Sequence, residues 1–172
     1  RLQRWSQRNR SWAQFELGNL YDRGLGVTKD PKRACELFKL AADQGNHHAQ
    51  FNLGLMYKKG EGVIQSDQLS FKYYKLSADQ GFANAQFNVG NGYAQGKGVE
   101  QSDLKASEFY KLAADQNNLD GQMGLAVIYQ DGLGVIQDYK AARTWFRKAA
   151  NQGSSIAAGT LGYNYSLIFG AF

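Results

Sequence analysis

The sequence predicts an all-α solenoid built from pairs of antiparallel helices, and three observations carry that prediction. A tyrosine recurs at positions 21, 57, 93, 129 and 165, a constant step of 36 residues. Gly-x-Gly-Val keeps the same step, beginning at Gly24, Gly60, Gly96 and Gly132. Ahead of each tyrosine stands Leu-Gly or a near variant: Leu17-Gly18, Leu53-Gly54, Val89-Gly90, Leu125-Ala126 and Leu161-Gly162. A fixed period of about 20–50 residues marks a repeat array, in which each unit buries its apolar side only against its neighbours.

Extended backwards, the 36-residue register places Leu2 over Phe38 and Asn9 over Gly45. Residues 1–12 therefore read as the second half of a preceding unit or as an N-terminal cap. Four full units follow, at 13–48, 49–84, 85–120 and 121–156, with a partial fifth at 157–172 that holds only a first helix. In the first unit Ala13, Leu17, Leu20, Tyr21 and Gly24 form one helical stripe, and the small Ala13 and Gly18 let another helix approach closely. The glycine turn ends this helix, here called A, because glycine enters the left-handed region without a Cβ penalty; Gly60 and Gly96 are expected there for the same reason. Asp30-Pro31 then opens a second helix, B, with Asp as N-cap and Pro at the first helical position. Its stripe is Ala34, Leu37, Phe38 and Ala41, and Gly45 stops it before Asn46 begins the connection onward. Ser66, Ser102 and Asp138 take the capping place in later units, and Asn117 replaces the terminating glycine, which keeps the chemistry of a left-handed cap.

Composition narrows the function classes. The net charge of +5 is dispersed, and the densest basic cluster, Arg1, Arg4, Arg8 and Arg10, reads as a solvated helix face with no nucleic-acid partner. No apolar run approaches the length needed to span a membrane. Cys35 is alone, so no internal disulfide framework exists. The chain opens on Arg1 where a methionine would start a primary product, which implies processing or trimming and leaves secretion open. The final segment ends apolar through Leu167, Ile168, Phe169 and Phe172. Uncovered side chains of this size favour association, so this end is expected to be covered: by a second copy of the chain, by downstream residues, or by Phe169–Phe172 folding back.

These repeats resemble the Sel1-like family, which is related to tetratricopeptide repeats. The likeness rests on Ala-x-x-x-Leu-Gly-x-x-Tyr-x-x-Gly-x-Gly-Val and on a second half seen as Phe38-Lys39-Leu40-Ala41-Ala42-Asp43-Gln44-Gly45 and as Phe146-Arg147-Lys148-Ala149-Ala150-Asn151-Gln152-Gly153. Plain tetratricopeptide units are about 34 residues long, two fewer than here. The resemblance implies a right-handed superhelix, a scaffold or adaptor role, and a bacterial periplasmic or secreted setting, a cytoplasmic one staying open. Some members carry a cysteine pair in each repeat; with Cys35 alone this chain falls outside that subset.

In a superhelix of helix pairs the A helices line the concave wall. On a wheel of about 100° per residue, Phe15, Asn19, Asp22 and Arg23 face away from helix B. Carried through the register, this face holds a ladder of Phe15, Phe51, Phe87 and Met123, flanked by Asn19, Leu55 and Asn91, then by Arg23, Lys58, Lys59 and Gln95. It is the expected binding site for another protein or peptide, with aromatic rungs for contact area and amides for an extended backbone. The plainer reading makes each Phe a wedge that spaces adjacent A helices, leaving the variable polar positions to carry specificity. His47 and His48 are the only histidines and read as neighbours in an inter-repeat turn, without zinc-ligand spacing around them. The Gly-x-Gly segments follow no strand and recur as turns, so they are not phosphate loops. No nucleophile motif is present, and no cofactor or metal is expected. The rival functions are an enzyme, a hydrolase with its site assembled across the solenoid, and a spacer inside a larger protein.

Overall fold

The computed structural model describes residues 10–161, all helix and turn with no strand among them. The expectations for residues 1–9 and for 162–172, the apolar C-terminal segment included, lie outside the described residues. Eight helices alternate as A and B: α1 (Ser11–Arg23), α2 (Pro31–Asp43), α3 (His47–Lys59), α4 (Asp67–Ala78), α5 (Ala83–Gln95), α6 (Asp103–Asp115), α7 (Leu119–Asp131) and α8 (Tyr139–Asn151). Helical backbone resumes over 155–161. Each helix packs on the one before it and the one after it, which is the connectivity of a solenoid.

The B helices start where the sequence placed them. Asp30 accepts from the Arg33 N–H, Ser66 from Leu69, Ser102 from Lys105, and Asp138 from Lys140 and Ala141. The backbone N–H of each of these caps also donates to the carbonyl of the periodic tyrosine, Tyr21, Tyr57, Tyr93 or Tyr129, at 2.9–3.0 Å, so the loop closes identically four times. At the far end Asn117 has φ 61°, matching Gly45, Gly81 and Gly153 in the left-handed region.

The A helices begin earlier than the turn reading implied. Asn46 does not begin a connection; its side chain accepts from the Ala49 N–H and caps α3. His47 and His48 are therefore the first helical residues and not part of a turn. Asn118 and Ser154 play the same role for α7 and for 155–161, whereas Phe82, at the same register, offers α5 no side-chain cap.

Two contacts explain the glycines of the motif. A Cβ on Gly18, Gly54 or Gly90 would sit 2.7, 2.5 or 2.6 Å from the ring of Phe38, Tyr74 or Tyr110, so helix B drives its aromatic against the bare A backbone. In the second, third and fourth loops the second glycine docks on the preceding unit, whereas Gly26 in the first loop meets nothing within 4 Å among the described residues. At Gly62 (φ +72°) a Cβ would overlap the Pro31 carbonyl, and at Gly98 (φ +75°) that of Asp67. The periodic loop is thus an inter-repeat contact as well as a turn.

A second ladder is polar and buried. Gln14, Gln50, Gln86 and Gln122 are buried on the A helices. Each accepts through Oε1 from the terminal glutamine of helix B in its own unit, from Gln44, Gln80, Gln116 and Gln152 at 2.6–2.8 Å. Buried amides without partners would cost about 1–3 kcal/mol each, so the pairing fixes how A and B meet in every repeat.

Candidate functional site

The A-helix wall carries two adjacent hollows on either side of α5. The first, about 90 Å³, lies between α3 and α5 over the face of α4 and is lined by Lys58, Asp67, Ser70, Asn88, Gln95 and Lys97, among others. The second, about 370 Å³, lies between α5 and α7 with Tyr110 behind it; its lining includes Phe87, Ala94, Met123, Val127, Ile128 and Leu133. Asn91 borders both. The two differ in chemistry: the first sets two ammoniums, one carboxylate and several amides around the Phe71 and Tyr74 rings, and the second is mostly aliphatic and aromatic with Asp120 as its one charged group.

The hollows bring together Lys58, Asn91 and Gln95 in the first, and Phe87, Asn91 and Met123 in the second. They do not include Phe15, Asn19, Arg23, Phe51, Leu55 or Lys59. Each Phe of the ladder is half-buried against the helix-B ring behind it. Phe15 lies 5.9 Å from Phe38, Phe51 5.6 Å from Tyr74, and Phe87 5.7 Å from Tyr110. Asn19 accepts from Asn52 of the next A helix at 3.2 Å. Leu55 packs against the core around Tyr74 and Val89. Lys59 turns to Glu61 in its own loop at 3.8 Å, an exposed pair worth little. Arg23 stands exposed in the last turn of α1.

The wheel missed Asn88, Asp120, Asp67, Lys97 and Leu133. Asn88 falls just outside the face it selected, Asp120 precedes residue 121 where the sequence reading began the unit, and the other three belong to helix B or to the loops, which a wheel drawn on helix A alone cannot reach.

Asn91 is held in one orientation. The Tyr110 hydroxyl donates to its Oδ1 at 2.8 Å, which leaves the amide N–H2 to donate elsewhere. Burial pushes the Tyr110 phenol up to about 12, so it stays a donor. Tyr74 is the same residue one repeat earlier, also raised to about 12 by burial. Its hydroxyl has no hydrogen-bond partner, because Leu55 occupies the place of Asn91. Ser70 instead donates to the Gly54 carbonyl at 2.8 Å.

A further cluster forms at the N-terminal edge of the same wall. The His47 and His48 rings lie 4.1 Å apart, His48 stacks on Phe15 at 5.6 Å, and Phe82 meets His47, His48 and Phe51 at 5.1–5.5 Å. Burial first, and then the charge of His48, lowers the His47 pKa below the usual imidazole value. No group of three or more metal-ligating side chains occurs among the described residues. No described helix is long and apolar enough to cross a membrane.

Fold and surface together define a solenoid of helix pairs with a recessed wall. The chain belongs to the Sel1 repeat family, whose model matches residues 13–46, 47–82, 83–118 and 119–154. Sel1 repeat proteins generally mediate protein–protein interactions. Among solved structures the chain is similar to a protective antigen present in uropathogenic Escherichia coli strains that displays an SLR fold, with 39% identity and a TM-score of 0.93 over 96% of this chain and 35% of that one. It is also similar to a Sel1 repeat protein from Oxalobacter formigenes, with 32% identity and a TM-score of 0.87 over 92% of this chain and 65% of the other. Helicobacter pylori cysteine rich protein B matches at 28% identity and a TM-score of 0.62, covering 77% of this chain and 96% of its own. The chain thus spans 35% and 65% of the first two relatives. No curated protein matches it.

Proposed function

We propose that the chain binds an extended segment of a partner protein along the wall made by α3, α5 and α7. One observation supports this reading: two hollows flank α5 and meet at Asn91, whose amide donors are left over after the bond to Tyr110. An extended peptide has an unpaired backbone, and a fixed amide on the ridge between two recesses suits it. Phe15 and Phe51 of the half-buried ladder supply the stiffness of the wall, while Phe87 and Met123, which line the second hollow, share recognition with the variable polar residues. An envelope or secreted setting is part of the proposal, supported by the similarity to a protein described as a protective antigen.

The competing surface is the row of exposed leucines on the B helices, Leu40, Leu76 and Leu112. A displayed random-peptide library selected on the intact chain separates the two. Binders are expected to be lost when Ala94→Trp fills the second hollow and kept when Leu76→Asp disrupts the outer row. Binders lost only with Leu76→Asp, or no binders at all, would reject the wall.

A further inference from the structure

The two hollows differ in a way that specifies a ligand. The first is rimmed by Lys58 and Lys97, both exposed and neither in an ion pair among the described residues, with Asp67 as the sole carboxylate. Its remaining polar lining is amide and hydroxyl: Asn88, Asn91, Gln95 and Ser70. Asn88 spends one donor on the Asn84 carbonyl and Ser70 its hydroxyl on the Gly54 carbonyl, while Asn91 spends only its oxygen and both lysines keep their donors among the described residues. Donors therefore outnumber acceptors and the local charge is positive, which fits a carboxylate. The second hollow is the larger and is lined mainly by Phe87, Met123, Val127, Ile128 and Leu133, with the exposed Asp120 its one charged group, which fits one bulky apolar side chain and disfavours an acidic one.

Resting on the wall reading above, we propose that this site recognises an acidic side chain and a large apolar side chain three residues apart on one extended peptide. The spacing follows from geometry. The hollows are separated by α5, and a helix with its side chains is about 10–12 Å across. In a polyproline-type strand, residues i and i+3 point the same way and stand about 9 Å apart, and i and i+6 about 19 Å, so three residues is the same-facing step nearest that width. A flat β-strand places i and i+3 on opposite faces, so it cannot fill both hollows at that step. The Asn91 amide, on the ridge between the hollows, donates to a backbone carbonyl of the two residues that bridge them. Such a backbone has no internal hydrogen bonds and leaves those carbonyls free.

The test uses fluorescein-labelled ten-residue peptides on a Gly/Ser background, titrated by fluorescence polarisation against the full chain. Glu and Leu are set three residues apart in both orders, and one version carries Pro-Pro between them. Controls replace Glu with Gln or Leu with Ser, or change the spacing to one or six residues. The three-residue peptide is expected to bind at least tenfold tighter than every control, and the Pro-Pro version tighter still. Lys58→Glu and Lys97→Glu are expected to erase the preference for Glu over Gln, and Val127→Glu the preference for Leu over Ser. All three sites are exposed, and unchanged melting curves check the fold of each variant. Affinity independent of spacing, or dependent on only one of the two side chains, overturns the proposal. Library binders that Ala94→Trp abolishes but that lack the acidic–apolar pair would overturn this specificity and leave peptide binding on the wall standing. A wall that selects no peptide removes both.

Discussion

The second and third repeats present the same tyrosine to the same glycine, yet only one of those tyrosines is satisfied. Tyr74 presses on Gly54 and Tyr110 on Gly90 with nearly equal closeness. Tyr110 donates to Asn91, whereas Tyr74, 36 residues earlier, meets Leu55 and ends with a buried hydroxyl that has no hydrogen bond. The first and fourth repeats avoid the question, because Phe38 and Phe146 carry no hydroxyl. Shape is therefore held across the array while polar pairing drifts. The position that drifts, Asn19, Leu55, Asn91 and Val127 in turn, is the one that faces the wall. Asn91 both satisfies a buried hydroxyl and borders the two hollows, whereas Leu55 at the same register is apolar and leaves the Tyr74 hydroxyl without a partner.

The largest effect is expected at the loop glycines that the two repeats have in common. Gly62→Ala and Gly98→Ala force a Cβ into the preceding unit's backbone at a positive φ. Left-handed strain of about 1–2 kcal/mol adds to an overpacking cost of about 1–3 kcal/mol. Both variants are expected to lower the urea midpoint severely and by similar amounts. A mild loss at either position would show that the loop is not a rigid inter-repeat contact.

Next comes the exchange of the drifting position. Asn91→Leu turns the third repeat into a copy of the second and strands the Tyr110 hydroxyl, at an expected cost of about 1–3 kcal/mol. The reverse change, Leu55→Asn, gives Tyr74 the partner that Tyr110 has and is expected to stabilise by about 1 kcal/mol. Denaturant titration of both variants reads the asymmetry directly. Equal destabilisation by the two would mean that Tyr74 is not short of a partner.

The smallest effect separates the start of α3 from the start of α5. The third unit has Ala83-Asn84 where the second has His47-His48, two imidazoles at a helix N-terminus, where positive charge is disfavoured. Because the His47 pKa is lowered in the fold, the unfolded chain binds more protons as the pH falls. Its contribution is therefore intact above the ordinary imidazole pKa of about 6.5 and is lost as the pH drops from there towards the lower folded value. Thermal unfolding at pH 7.5 and 5.5 is expected to show a modest loss at the lower pH that shrinks in His47→Gln. A loss of the same size in that variant would assign the effect to other groups.

The sequence by itself determined the repeat, its four complete units, the helix-B caps and the left-handed turns, Asn117 included. These are local properties: a cap, a turn or a stripe is decided by residues within a few positions of one another, and the 36-residue step printed the same local solution four times. It also carried the glutamine ladder, Gln14 with Gln44 and its three copies, but a pair thirty residues apart is readable only once the crossing of A and B is known. The start of the A helices was misplaced because Asn46 is equally suited to a loop and to a cap, and only the helix that follows distinguishes them. The lining of the two hollows divided along the same line. Lys58, Asn91, Gln95, Phe87 and Met123 were legible because one helix face holds them, while Asp67, Lys97 and Leu133 reach the hollows from helix B and the loops. Which positive and which apolar side chains share a recess was decided by tertiary structure, since a recess exists only between helices, and its chemistry is the sum of faces that the chain brings together from separate repeats.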